Sequence, residues 1–243
     1  MPLPVNVTKA IIFSAGLGTR FKPWTDHHPK ALAIINGKSL LQRNVEYLQQ
    51  YGITDVVVNV HHFAGQVEEA IQESKGWGSS ITISDERNEL LETGGGLLHA
   101  APLLKGHRFI SLNVDILTDL DINRLLAFHL KRSALVSFGI TNRKTSRNFL
   151  FDNSNRLSGW VNSATGEEKI VREGELHPMA YSCVSIYEPG FLDLIPQRGK
   201  FSVTEPFLAL APDHPIYGMD HSGNRFIDVG KPESVALAEK MFQ

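Results

Sequence analysis

The sequence predicts an α/β protein on a doubly wound sheet, and three observations point there. Short apolar runs alternate with helix-period segments up to residue 140. The runs are apolar on successive residues, as in strands buried on both faces. The first of them breaks into a turn with two glycines, the usual place for a ligand at the carboxyl edge of a parallel sheet. Strand–helix–strand repetition calls for right-handed crossovers with helices on both faces.

Taken in order, strands are predicted over 9–15, 55–60, 80–84, 108–113 and 134–140, all rich in Val, Ile and Phe. Helices are predicted over 39–51, 63–75, 95–103 and 121–132. In the first helix Leu40, Val45 and Leu48 supply the inner face, Ser39 an N-cap and Gly52 a stop. After residue 140 the pattern turns to strands and tight turns up to 186, predicting an antiparallel extension on the sheet's edge. Helical spacing returns at 190–195 and 204–211, then a strand reaches Asp228 and a helix starts at Pro232. The whole is a Rossmann-like mixed sheet with a small antiparallel extension. It is read as one domain over 1–243, with a first half at about 9–141 and a second at about 142–243.

Composition narrows the function. The 243 residues are 42% hydrophobic and 21% charged with a net charge of -2, so no electrostatic footprint for nucleic acid or an anionic membrane is present. The single cysteine, Cys183, excludes an internal disulfide framework and suits a reducing compartment. The start, Met-Pro-Leu-Pro-Val-Asn, lacks the features of a signal peptide, and no run reaches the length of a membrane span. A cytoplasmic location is expected, where the glycosylation-type triplet Asn6-Val7-Thr8 would go unused. The sequence does not specify an oligomeric state.

The turn after the first strand reads Ala15-Gly16-Leu17-Gly18-Thr19-Arg20, followed by Pro29-Lys30. Glycines let backbone N–H groups approach phosphate oxygens without an obstructing Cβ. The spacing fits neither the loop of phosphate-binding NTPases nor the dinucleotide fingerprint, which needs a small residue where Phe21 stands. What it has instead is its own cations. Arg20 can grip two phosphate oxygens and Lys30 adds a compact second charge. Two solvated surface charges on a tight turn would be the bland alternative; strand, glycines, Arg and Pro-Lys together favour a phosphate site.

Here the stretch SAGLGTRFKPWTDHHPKALAIINGKSLLQRNVEYLQQYGI resembles the opening of the sugar-1-phosphate nucleotidyltransferases. Their pattern of Ala-Ala-Gly-x-Gly, Thr-Arg, Pro-x-Thr and Pro-Lys is met here with Ser14 for the second Ala and Ala31 after Pro-Lys. The resemblance continues through LLETGGGLLHAAPLL and LNVDILTDLD to FIDVGKPESV. It implies the nucleotide-diphospho-sugar transferase fold. It also implies Mg²⁺-dependent transfer of a nucleoside monophosphate from a nucleoside triphosphate to a sugar 1-phosphate. UTP with N-acetylmuramate 1-phosphate is the leading pair, which would make a cell-wall nucleotide sugar. The alternative is guanylyl transfer to mannose or heptose 1-phosphate. A nucleotide sensor that has lost turnover and a phosphocholine-type cytidylyltransferase are the competing classes. With only eleven residues after Pro232, a monofunctional protein is expected.

By that resemblance Arg20 and Lys30 are the catalytic cations, and Ala15, Gly16, Leu17, Gly18 and Thr19 cradle the triphosphate. Asp115 and Asp228 are the metal ligands, as suits a cation that prefers carboxylate and phosphate oxygens. Asn113-Val114-Asp115 departs from the family in having Val where Gly is common, which bears on the choice of nucleotide. Thr93-Gly94-Gly95-Gly96 reads as a second close-approach loop bordering the base, opening a helix at Leu97, with Glu86 a further base contact. Asn113, Glu173 and Glu205 are candidates for the sugar. His27-His28 and His61-His62 lack further ligands at metal-site spacing, and Trp24, Trp77 and Trp160 read as packing residues.

Overall fold

Each apolar run predicted up to residue 140 forms a strand in the computed structural model, which describes residues 7–243. Asn6 and the readings that rest on the first six residues lie outside the described part. The chain begins with β1 (Lys9–Phe13), the short hairpin β2 (Ile34–Ile35) and β3 (Lys38–Ser39), and α1 (Leu40–Gln49). There follow β4 (Asp55–Val60), α2 (Ala64–Glu73), β5 (Ser80–Asp85), α3 (Glu92–His99) and α4 (Ala101–Leu104). Next come β6 (Phe109–Asn113), β7 (Ile116–Thr118), α5 (Ile122–Lys131) and β8 (Val136–Thr141). The second half holds β9 (Arg147–Phe151), β10 (Leu157–Asn162), β11 (Glu167–Ile170) and β12 (His177–Tyr187). It closes with α6 (Phe191–Leu194), α7 (Thr204–Leu210), β13 (Ile216–Asp220), β14 (Phe226–Asp228) and α8 (Ser234–Met241).

β1 lies in parallel between β4 and β6, and β5 joins β4 in parallel. Their side chains alternate between two cores. Ala10, Ile12, Val56 and Val58 face Leu40, Val45, Leu48 and the inner residues of α5. Ile11, Phe13 and Val57 face Leu97, Leu104, Phe191 and Phe207. That alternation is why β1, β4 and β6 read as continuous apolar runs: both faces are covered. β5, at the sheet's edge, is largely exposed and corrects that expectation. Ser39 caps α1 by accepting from the Gln42 N–H at 3.1 Å, and Gly52 leaves that helix at φ 74°.

The antiparallel segment corrects the sequence reading in one respect. It does not only pack on the edge: β12 runs inside the sheet, antiparallel to β6 on one side and to β8 on the other, with β13 parallel to β8 beyond. Only the start of β12 turns away, pairing β9, which leads to β10 and β11. The strand's interior position is masked in the sequence by buried serines. Ser182 bonds the His221 ring at 2.6 Å and Ser185 the Tyr181 hydroxyl at 2.7 Å, so both polar groups are satisfied inside. Among the described residues no helix is long and apolar enough to cross a membrane.

Candidate active site

β1 ends beside Asn59, the penultimate residue of β4, and Asn59 fixes the chain as it leaves the sheet. Its Oδ1 accepts from the N–H of Ser14 at 2.6 Å and of Ala15 at 3.3 Å, while the Ser14 hydroxyl donates to the Asn59 carbonyl. The serine that replaces alanine therefore adds a tether. Gly18 sits at φ 61°, where a Cβ would come within 2.8 Å of Thr25, and the Thr25 hydroxyl donates to its carbonyl at 2.9 Å. A left-handed turn under a buried threonine leaves little room for any other residue. Gly16 faces open space, and Leu17 is exposed.

Glu86 stands behind this loop. It is 3% exposed, and its Oε1 accepts from the Asn59 amide at 2.8 Å, so it orients the side chain that orients Ser14 and Ala15. Burial pushes its pKa up from the ordinary carboxylate value. Glu86, expected as a base contact, has Oε1 on Asn59, while its Oε2 is buried with no hydrogen-bond partner.

The glycine run is also corrected. Gly94, Gly95 and Gly96 form no loop; they lie buried within α3, which begins at Glu92. The N–H groups of Gly94 and Gly95 donate to the Phe201 carbonyl at 2.9 and 3.2 Å, so they are not free to meet a base. A Cβ would strike the Phe201 ring from Gly94, the Gly199 carbonyl from Gly95 and the Glu86 carboxyl from Gly96. The glycines let the 199–203 segment and Glu86 close onto the helix. Gly95→Ala, whose Cβ would collide with the Gly199 carbonyl oxygen, is expected to destabilise by about 1–3 kcal/mol, several degrees in Tm. An unchanged thermal melt would contradict this packing role.

Asp115 and Asp228 meet because β7 and β14 pair antiparallel with Ile116 opposite Asp228. The Val229 N–H donates to the Asp115 carbonyl at 2.8 Å. Buried Asn44 donates to the Val114 carbonyl at 2.8 Å, and the Val114 N–H to the Phe13 carbonyl at 3.0 Å. Val114 itself is 4% exposed and packs into the core of the α1 face. Lys30 forms an ion pair with Asp115, both side chains largely buried. Arg20 lies over Gly230 next to Asp228: a Cβ on Gly230 would come within 3.0 Å of its guanidinium and 2.7 Å of the Asp228 carboxylate.

Asp228 Oδ1 is buried with no hydrogen-bond partner. Burial, and then the neighbouring Asp115, push the Asp228 carboxyl above the ordinary carboxylate pKa. An orphaned carboxylate oxygen beside a second carboxylate is the donor set of a divalent cation. Among the described residues no group of three or more His, Cys, Asp or Glu gathers, so these two carboxylates would hold a cation only together with ligands from outside the protein.

Two cavities adjoin at this point. One, of about 300 Å³, runs from Ala15, Gly16 and Gly18 past Lys30 and Asp115 to Leu90 and Thr93. The other, of about 520 Å³, reaches from Asp228 under β9 and β10 to Trp160 and Glu167. Thr93 and Asn113 line both, which places Asn113 between them. Of the other two sugar candidates, neither lines either cavity. Glu173 is exposed and outside either lining, and Glu205 accepts from the Ser202 N–H at 2.9 Å at the start of α7. The second cavity is lined instead by Arg143, Arg147, Asn148, Trp160, Asn162 and Tyr181. Trp160 was expected to be packing alone; the alternation of β10 was the available signal that it shares a face with Asn162. Cys183, at φ 58° where β12 breaks register, also lines it; burial first, then Asp115, pushes its thiol up to about 12, far from a reactive thiolate.

The family profile described as Nucleotidyl transferase matches residues 9–150. An N-acetylmuramate alpha-1-phosphate uridylyltransferase of Caulobacter vibrioides is 33% identical over 246 residues, covering 95% of this chain and 95% of that one. A protein of the same description from Neisseria meningitidis serogroup B is 30% identical over 230 residues, covering 91% and 93%. Among solved structures, a putative glucose-1-phosphate thymidylyltransferase from Bacillus anthracis in complex with a sucrose superposes with a TM-score of 0.80 at 16% identity. It covers 96% of this chain and 94% of that one, a likeness of fold.

Proposed function

Because this chain belongs to the nucleotidyl transferase family, among sugar-1-phosphate nucleotidyltransferases, we propose that it transfers uridylyl from UTP to N-acetylmuramate 1-phosphate with Mg²⁺. The observation that carries the reading is the convergence of Arg20, Lys30, Asp115 and Asp228 where two cavities of substrate size adjoin. In this reading the triphosphate lies in the cavity of the first loop, and the sugar phosphate in the cavity of β9 and β10. The nucleotide half is then 9–141 and the sugar half 142–243. Cytoplasm, where triphosphates are made, suits it, and the product is an activated sugar for wall synthesis.

A sugar-phosphate oxygen attacks the α-phosphorus; the bond from that phosphorus to the bridging oxygen breaks and pyrophosphate leaves with the electron pair. The attacking group is already an anion, so no base is required. The work is alignment and charge. Asn59 holds the Ser14–Ala15 backbone so that the glycine loop presents its N–H groups in one geometry. Lys30 and Arg20 offset negative charge as it moves to the leaving oxygens. Asp115 and Asp228 would hold Mg²⁺, which supplies charge neutralisation on the phosphates when bound.

The test is pyrophosphate release in Mg²⁺, crossing the four common nucleoside triphosphates with a panel of sugar 1-phosphates. Release with UTP and N-acetylmuramate 1-phosphate is expected. Release only with GTP and a manno-configured sugar would replace the substrate pair, and triphosphate binding without release in any combination would favour the sensor.

A further inference from the structure

The second cavity is walled by the inner face of the three-stranded extension. Register sets Arg147 opposite Asn162 and Asn162 opposite Glu167; two residues along the same face Phe149 stands opposite Trp160. All five line the cavity, so an aromatic platform lies beside a polar row. Such a pairing suits a sugar ring, apolar on one face and edged with hydrogen-bonding groups.

The row begins with a cation. Arg147 is exposed to the cavity, and its guanidinium has no ion-pair or hydrogen-bond partner among the described residues. Arg143, the other arginine here, is held by one donor and its aromatic neighbour, with its Nε buried and unpartnered. It donates to the Tyr181 carbonyl at 3.0 Å and lies 5.2 Å over the Phe226 ring, on β14 two residues before Asp228. Arg143 therefore belongs to the end where phosphates would gather, and Arg147 to the end walled by the extension.

A planar cation with five donors and no protein partner, facing a sugar-sized space away from the phosphates, calls for a second anion on the ligand. Resting on the reading of this cavity as the sugar site, we propose that Arg147 recognises a carboxylate on the sugar. The substrate class is then an acidic sugar 1-phosphate, its ring seated on Trp160. Glu167 supports one orientation. Two strand spacings, roughly 10 Å, separate it from Arg147 along the row, and it repels a carboxylate presented from the β11 side.

The test compares N-acetylmuramate 1-phosphate with N-acetylglucosamine 1-phosphate, which differ by the lactyl ether and its carboxylate. The readout is the ratio of their kcat/KM values on one protein preparation, so losses common to both substrates cancel. Wild type is expected to favour the muramate; Arg147→Gln should collapse that ratio about tenfold or more, mainly through KM, and Arg147→Lys should restore part of it. A ratio unmoved by Arg147→Gln would overturn the proposal. Should the wild type not use N-acetylmuramate 1-phosphate, the substrate pair above fails first. The arginine is then judged by glucuronate against glucose 1-phosphate. A carboxylate preference that depends on Arg147 sustains it, and none overturns it.

Discussion

Asp228→Asn is expected to lower kcat on the order of a thousandfold and yet to raise the melting temperature of the metal-free protein. The first effect follows from the assigned role. Asp228 and Asp115 are the pair of carboxylates at the junction of the two cavities, and removing the charge of one weakens the hold on a cation whose field lowers the barrier by several kcal/mol. The second follows from its surroundings. Asp228 Oδ1 is buried and unpartnered, and burial followed by Asp115 raises the pKa of the folded carboxyl. The folded state then binds that proton more tightly than the unfolded chain does. The cost of ionisation is absent below the ordinary carboxylate pKa and grows to its full size as pH rises through the raised value. Asparagine removes it. Thermal melts at neutral pH, with and without Mg²⁺, separate the two effects: Mg²⁺ should stabilise the wild type and not the variant. A variant that melts lower, or keeps near-wild-type turnover, would refute the metal assignment.

Lys30→Met should also cost on the order of 10²–10³ in kcat/KM, but with the opposite sign in stability. Lys30 pairs with Asp115, with only 12% and 16% of the two side chains exposed. Methionine keeps the aliphatic stem and deletes the charge, so the leaving pyrophosphate loses a fixed cation. It also takes from Asp115 its ion-pair partner beside Asp228, which lowers Tm. Arginine in the same place is no conservative substitute, because a planar fork cannot reproduce a point charge in a space shaped for an ammonium. Pyrophosphate release and melting on Lys30→Met and Asp228→Asn together make a sharp comparison: both lose activity, and their melting temperatures move apart. Parallel shifts in Tm would refute this electrostatic account of the pair.

Much of the fold was legible because its signals are local. Ile11 and Ile12 are adjacent in sequence and buried in opposite cores, so a strand covered on both faces has to be apolar throughout. Ser39 and Gly52 mark the limits of α1 because a cap and a left-handed stop are made by neighbours in the chain. The first loop was legible for the same reason: Gly16, Gly18, Arg20 and Lys30 fall within one turn and its return. The Nucleotidyl transferase match over 9–150 covers that stretch.

What the sequence did not disclose depends on partners far along the chain. Three glycines look alike whether they face a base or a helix neighbour, and only the approach of Gly199 and Phe201 decides for the neighbour. Glu86 and Glu205 are ordinary carboxylates until Asn59 and the Ser202 N–H take them up. β12 reads as an edge strand until its serines are seen bonded inside the sheet. Arg147 gains meaning only when the register of β9 and β10 sets it beside Asn162 on the face that carries Trp160. Local spacing determined which elements form and where the glycine loop after β1 lies. The identity of each polar group's partner, and hence its charge and its availability to a ligand, was decided by long-range pairing across the sheet.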